Sequence, residues 1–392
     1  MGKFSKALEL LGKIAEAVLT DLSNGDGKAY NNKAYNKEIE RKNSEIKEEM
    51  HRGDDSITEL YIPEGIKKIG NSAFRECRNL RSVTFPLTLE YIGCNAFTKC
   101  TSLTEVTIPE GVTYIGNGAF SECSSLVSAV LPNSMKGTEI SGGLFYSCTA
   151  LENVVFPKRI KRSFANVFPH CEALKSFEIP YGADELGAFT FEYCYSLERL
   201  IIPDTVKYIG HRSVMYCHSL REIYIPDSVE RIACLHTFYK CLVLSKVRLP
   251  LDFTFKDILD DHTEDQAALC FQNCYELHTV EMCGREFHIE SMTDEALLLI
   301  RTELAADGNS AAIDLICKQL PKVFKALADN NRTELADKLL AALPRDAVTE
   351  DELLAAIDYS AEKGAHEIYL MLVQYKNSDN SGSSDIGQRF SL

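Results

Sequence analysis

A 23-residue period runs through the middle of this chain and constrains its fold more than any other feature. Nine of the twelve prolines, Pro63, Pro86, Pro109, Pro132, Pro157, Pro180, Pro203, Pro226 and Pro250, stand 23, 23, 23, 25, 23, 23, 23 and 24 residues apart. Nine of the fourteen cysteines keep step with them: Cys77, Cys100, Cys123, Cys148, Cys171, Cys194, Cys217, Cys241 and Cys274. Three residues after each stands Leu, from Leu80 to Leu277; three before each stands Phe, from Phe74 to Phe271, with Val214 the single exception. A period of this length marks a supersecondary unit that cannot bury its own inner face and must stack on copies of itself.

One unit shows how the residues divide. Leu103, Val106 and Ile108 point inward while Glu105 and Thr107 point outward, so the segment reads as a short strand. Pro109 has no N–H to give a ladder and ends it. Val112 and Ile115 supply a second apolar pair. Gly116 is expected to turn the chain with positive φ, as are Gly70, Gly93 and Gly210 in their units. A short helical turn is then expected to send Phe120, Cys123 and Leu126 inward. The register predicts ten strands, beginning near Ile57, Leu80, Leu103, Leu126, Leu151, Leu174, Leu197, Leu220, Leu244 and Leu277, in one parallel sheet.

These residues resemble the BspA-like leucine-rich repeat family, whose pattern I-P-x-x-V-x-x-I-G-x-x-A-F-x-x-C-x-x-L is matched from Ile108 to Leu126. The resemblance spans about residues 54–290. It implies an α/β repeat fold, a right-handed leucine-rich solenoid whose sheet lines a concave face, and a bacterial adhesin or binding protein without enzymatic activity. Four segments are expected: 1–53, helical and charged; 54–290, the solenoid; 291–376, an α-helical domain; 377–392, a disordered tail.

Outside the repeat the reading is coarser. Phe4 to Leu22 places Leu8, Leu11, Ala15, Val18 and Leu22 on one helical face and reads as a docking helix. Glu9, Lys13 and Glu16 interrupt it, so it is not a secretory h-region. Asn24-Gly25-Asp26-Gly27 has the look of a calcium loop, but Leu22 and Lys33 stand where its first and twelfth ligands belong, and an ordinary turn is expected. Ile39 to Met50 reads as a short polar helix. From Ser291, helix-period residues predict helices over 294–304, 311–320, 323–328, 333–343, 350–359 and 366–375. A 33-residue offset between Thr333-Glu334-Leu335 and His366-Glu367-Ile368 is similar to degenerate ankyrin helices, though the T-P-L-H signature is missing; the plainer expectation is a helical cap on the end of the solenoid.

Charge and chemistry narrow the function. The net charge is −15, distributed +1 over residues 1–52, −8 over 53–289 and −8 over 290–392, which excludes a dedicated nucleic-acid binder. No apolar run reaches eighteen residues, so no transmembrane segment is expected. The nine periodic thiols point the same way from successive coils and are expected to be buried, free and in a reducing compartment. With no visible signal peptide, a cytoplasmic location is expected; the alternative is the cell surface or secretion by another route.

No P-loop, nucleophile elbow, zincin or dinucleotide motif is present, and no cofactor is expected. Cys270, Cys274, His278, Cys283 and His288 form the one cluster of metal-ligand types, at spacings that match no common zinc module; a metal-dependent enzyme there is the alternative function. The insertion between Leu251 and Leu269 carries Asp252, Asp257, Asp260, Asp261, Glu264 and Asp265 and reads as a solvated acidic loop. The expected binding site is the open sheet face. One outward column runs Tyr61, Thr84, Thr107, Val130, Val155, Glu178, Ile201, Tyr224 and Arg248; its neighbour includes Arg199, Glu222 and Lys246. Val130, Val155, Ile201 and Tyr224 form an apolar stripe, with Glu178, Arg199 and Glu222 as polar surround, a composition suited to a protein ligand.

Overall fold

The computed structural model describes residues 44–135, 142–160, 164–255, 265–344 and 347–379. The docking helix read over Phe4 to Leu22, the Asn24–Gly27 turn, most of the acidic insertion and the tail beyond Asp379 lie outside them.

Nine successive coils carry a three-residue strand closed by its proline, and a tenth carries a longer strand without one. The strands are Glu59–Tyr61, Ser82–Thr84, Glu105–Thr107, Ser128–Val130, Asn153–Val155, Ser176–Glu178, Arg199–Ile201, Glu222–Tyr224, Lys246–Arg248 and the longer Thr279–Met282, the ten expected. They do not form one unbroken sheet. Parallel pairing runs in four stretches, interrupted between Thr84 and Glu105, between Val155 and Ser176, and between Ile201 and Glu222. A three-residue rung carries few ladder bonds, so the ladder lapses readily. Beyond the last rung the chain turns back as Arg285–His288, antiparallel to Thr279–Met282, a hairpin the period did not announce.

A second ladder runs along another side of the coil. Glu45–Ile46, Lys68–Ile69, Tyr91–Ile92 and Tyr114–Ile115 pair in parallel, as do Glu185–Leu186, Tyr208–Ile209, Arg231–Ile232 and Thr254–Phe255. Its first rung lies where a polar helix was read over Ile39 to Met50. The coil there is a degenerate repeat: His51 takes the phenylalanine place and stacks on Phe74 at 5.3 Å. The described solenoid therefore includes Glu45, ahead of the expected boundary at 54.

The segment before each cysteine is not a helical turn. The residue preceding every periodic cysteine, from Glu76 to Asn273, has φ between 55° and 66°, and none of the nine is glycine. The reason lies in the hydrogen bonds. Ser72, Phe74 and Glu76 donate their N–H groups to Cys94, Ala96 and Thr98 of the next coil, while Ala73, Arg75 and Cys77 donate back within the turn. A helix would keep all of these bonds within itself; here left-handed residues at Ser72 and Glu76 flank a turn whose every second N–H crosses to the neighbour.

Gly70, Gly93, Gly116 and Gly210 also differ from expectation, since none has positive φ. A Cβ on Gly93 would stand 2.6 Å from Asn71 N, and one on Gly210 would stand 2.6 Å from Ala188 N. Glycine is required there because successive coils touch backbone to backbone.

Inside the coils the periodic side chains form columns. Phe74, Phe97, Phe120, Phe145, Phe168 and Phe191 stack at centroid distances of 5.3 to 6.2 Å, and all six are buried. The cysteines form a parallel column beside them. None of the fourteen cysteines is in a disulfide.

The remainder is helical: α1 (Gln266–Cys270), α2 (Asp294–Ala306), α3 (Ser310–Cys317), α4 (Leu320–Asp329), α5 (Thr333–Ala342), α6 (Glu350–Lys363) and α7 (His366–Asp379). From α2 onward they form three successive packed pairs, with α2, α4 and α6 stacked on one another. Local signals set their ends. Thr293 and Asn309 cap α2 and α3 by accepting from Ala296 N and Ala312 N, Thr349 and Glu352 form a capping box on α6, and left-handed Gly364 (φ 70°) closes it. The first pair is fastened to the last coils. Arg301 donates to the carbonyls of Leu251 (3.0 Å) and Phe253 (3.3 Å), and Asp294 and Asp265 each accept from the first N–H groups of the other's helix.

Candidate binding surface

The three-residue strands hold their central residue in the core and turn the flanking two outward, which follows from the two-residue side-chain period. In the apolar column Val130 stands opposite Val155, Glu178 opposite Ile201 and Tyr224 opposite Arg248. Val155 is 41% exposed and Tyr224 56% exposed, while Val130 and Ile201 are half-buried. Glu178, Arg199 and Glu222 are exposed around them. The stripe is interrupted as a ladder: Val130–Val155 and Glu178–Ile201 belong to separate runs, and Tyr224 to a third.

Two cationic positions of these columns differ from expectation. Arg248 is buried, not displayed: its guanidinium lies 4.6 Å from the Tyr224 ring centroid and donates to Ile225 O (2.7 Å) and to Asp227 Oδ2 (2.6 Å). Lys246 is engaged by the hairpin, reaching Glu281 at 2.7 Å and Glu286 at 2.6 Å, and these bonds hold its ammonium proton well above the usual lysine range. Alternation along one strand could not foresee either, because the covering groups come from other coils. At the opposite end, Tyr61 is 58% exposed and extends the apolar positions of the same column.

The Cys/His cluster near the end of the solenoid does not assemble. Cys270 is buried in the core, and the Cys274 thiol donates to Phe238 O at 2.9 Å. The rings of His278 and His288 lie 6.1 Å apart, and Cys283 is exposed. Among the described residues no three His, Cys, Asp or Glu side chains come close enough to hold a metal ion. Spacing along the chain had grouped residues that the coils send in different directions.

A parallel-strand solenoid with coils of about 23 residues, a phenylalanine–cysteine–leucine core and a helical end defines a leucine-rich repeat protein. The sequence profile of the BspA type leucine rich repeat region matches in six copies over residues 44–163 and 138–261, together more than half of the chain. The chain belongs to this family, whose members commonly mediate protein interactions or adhesion and are typically binding modules rather than enzymes.

Several solved structures are similar to parts of this chain. A leucine rich repeat protein of T. pallidum is 29% identical over 45% of this chain and 71% of its own, with a TM-score of 0.34. A leucine rich cell surface protein of Faecalibacterium prausnitzii is 21% identical over 62% of this chain and 83% of its own, with a TM-score of 0.32. The pneumococcal vaccine antigen PcpA is 22% identical over 50% of this chain and 57% of its own, with a TM-score of 0.34. No curated protein matches the chain. No helix among the described residues is long and apolar enough to cross a membrane.

Proposed function

We propose that the chain is a protein-binding module whose ligand sits on the outer face of the three-residue strands, the face that repeats of this type are expected to present as concave. The observation that carries this reading is the exposure of Val155 and Tyr224 on rigid rungs, at positions where a core gains nothing from them. Residues held by a parallel ladder meet a partner with little ordering cost. Tyr224 is a suitable anchor, its ring braced by the Arg248 guanidinium and still more than half exposed. Arg199, Glu178 and Glu222 orient the partner. The nine periodic thiols, each donating to a carbonyl and none in a disulfide, support a reducing compartment, and so an intracellular adaptor over an exported adhesin.

The triple variant Val155→Glu, Ile201→Glu, Tyr224→Ala tests the surface. Affinity capture from lysates of the source cells and of host cells should recover a partner with the native chain and lose most of it with the variant, while circular dichroism and melting stay unchanged. Each anchor is expected to contribute more than ~1 kcal/mol. Undiminished capture by a folded variant would move the ligand to another face.

A further inference from the structure

One corner of the solenoid changes character halfway along its length. The left-handed residue before each cysteine is charged in the early coils (Glu76, Lys99, Glu122), and there Lys99 pairs with Glu122 at 3.8 Å. After Ser147 the same position holds His170, Tyr193 and Tyr216 in three successive coils, before Lys240 and Asn273 follow. Because each coil repeats its neighbour's backbone, these rings pile up: His170 on Tyr193 at 4.4 Å and Tyr193 on Tyr216 at 4.6 Å, both with an interplanar angle of 14°. Tyr146 adds an edge contact at 5.7 Å from His170, and Tyr239 one at 5.5 Å from Tyr216. Five rings from five coils thus form a continuous, partly exposed edge, the kind of contiguous patch that soluble proteins keep for a partner.

The charge around this edge is unlike the rest of the molecule. The chain carries −15, but the four turns 165–173, 188–196, 211–219 and 235–243 contain two carboxylates (Glu172, Glu192), two fixed cations (Arg212, Lys240) and four of the nine histidines. The Lys240 ammonium lies over the Tyr216 and Tyr239 rings at 5.3 and 5.5 Å. The Arg212 guanidinium lies over Phe189 at 5.9 Å and acts electrostatically on half-buried Glu192. His170 faces Tyr146 and Tyr193; His211 faces Phe189; His218 faces Tyr195, Tyr216 and Lys240; His236 faces Tyr239 and Gln272. Two carboxylates offset two fixed cations here, and histidine is the side-chain type whose charge responds to pH near neutrality.

We propose that this aromatic corner is a second interaction surface, distinct from the strand face, which takes a carboxylate-bearing protein segment and holds it more tightly as the pH falls through the histidine range. Both faces of Tyr193 are covered by its neighbours, so the stack offers hydroxyls and ring edges and gives a sugar ring no open face at its centre. That favours a peptide over an acidic glycan. Complementarity comes from Lys240, Arg212 and the imidazoles. Burial and then Lys240 hold the His218 imidazole below its ordinary range, so this group responds at the acidic end.

The test uses the full chain and two dye-labelled peptides of equal length, one alternating Glu and Tyr and one alternating Lys and Tyr, read by anisotropy at 0.1 M salt. The acidic peptide should bind, about three- to tenfold more tightly at pH 6.0 than at pH 7.5, and the basic peptide should not. Tyr193→Asn with Tyr216→Asn removes the rings yet suits the left-handed backbone, and should weaken binding at least about tenfold with melting unchanged. His170→Asn with His218→Gln should shrink the ratio of the pH 6.0 affinity to the pH 7.5 affinity relative to the native chain. The proposal is overturned by equal binding of both peptides, by no binding, by an affinity indifferent to the tyrosine pair, by stronger binding of polygalacturonate than of the acidic peptide, or by a dimer in sedimentation that the tyrosine substitutions dissolve. The strand-face triple variant should leave peptide binding unchanged, which separates this surface from the first.

Discussion

At the scale of single residues, the cysteine column answers a hydrogen-bonding need. Each thiol donates to the carbonyl of the coil behind it: Cys100 to Phe74 O at 3.2 Å, Cys123 to Phe97 O at 3.2 Å, Cys148 to Phe120 O at 3.1 Å. The Phe74 carbonyl also accepts from Cys77 N at 3.3 Å, so one oxygen ties its own turn and the next coil together. Cysteine fills the core as a small hydrophobe and still supplies a weak donor. Burial pushes the Cys148 thiol up to about 12 and the Cys77 thiol up to about 11, from an ordinary 9.0. Unfolded thiols ionise above pH 9 while folded ones stay protonated, so the native state then binds more protons and stability falls as pH rises. The expected slope is roughly 1.4 kcal/mol per pH unit for each such thiol until its folded value is reached. Urea titrations at pH 8, 9 and 10 check this; a flat profile contradicts it. At neutral pH, Cys100, Cys123, Cys171 and Cys194 should react with a thiol reagent only after unfolding. Phe120, fully buried between Phe97 and Phe145, gives the matching packing prediction. Phe120→Ala should lower stability by about 3–5 kcal/mol in chemical denaturation.

At the scale of the element, the coil is held by backbone proximity more than by regular strand. Its two ladders have rungs of two to four residues, and left-handed turn residues complete the hydrogen bonding between neighbours. This places a tight limit on glycine. Gly93→Ala would press a methyl against Asn71 N and the Gly70 carbonyl carbon, at 2.6 and 2.7 Å, and neither is a flexible side chain. The coil would have to open, at a cost of about 1–3 kcal/mol. Thermal melting of Gly93→Ala against the native chain measures it, and an unchanged midpoint would show that the coils are not in such contact.

At the scale of the whole described body, a repeat array is only as secure as its ends, because each coil leans on its neighbours. The helical region protects the last coil through few polar links. Arg301, largely enclosed, satisfies the Leu251 and Phe253 carbonyls and lies 5.0 Å from the Phe253 ring. Arg301→Met keeps the apolar stem but leaves those carbonyls without their charged donor, a loss of roughly 1.5–3 kcal/mol. Hydrogen exchange should quicken first around Leu251–Phe255 and α2, with the central coils unaffected. Uniform acceleration along the solenoid would mean that the ends do not unfold separately.

What the sequence determined by itself is what repeats locally: ten strands, their prolines, the phenylalanine, cysteine and leucine columns, and six C-terminal helices whose caps lie within a few residues of their ends. Periodicity and capping act over short stretches of chain, so they are legible in one dimension. The outward positions of the strand face were legible for the same reason. Only the tertiary structure decided how one coil meets the next. The second ladder, the close approach at Gly93 and Gly210, the degenerate first coil with His51 under Phe74, the enclosure of Arg248 and the stacking of His170, Tyr193 and Tyr216 all join residues about 23 positions apart. The Cys/His grouping failed on the same ground, since neighbours in sequence left the coil on different sides. In a solenoid the nearest partner of most side chains is one full repeat away, and that is where the sequence, read one unit at a time, has no view.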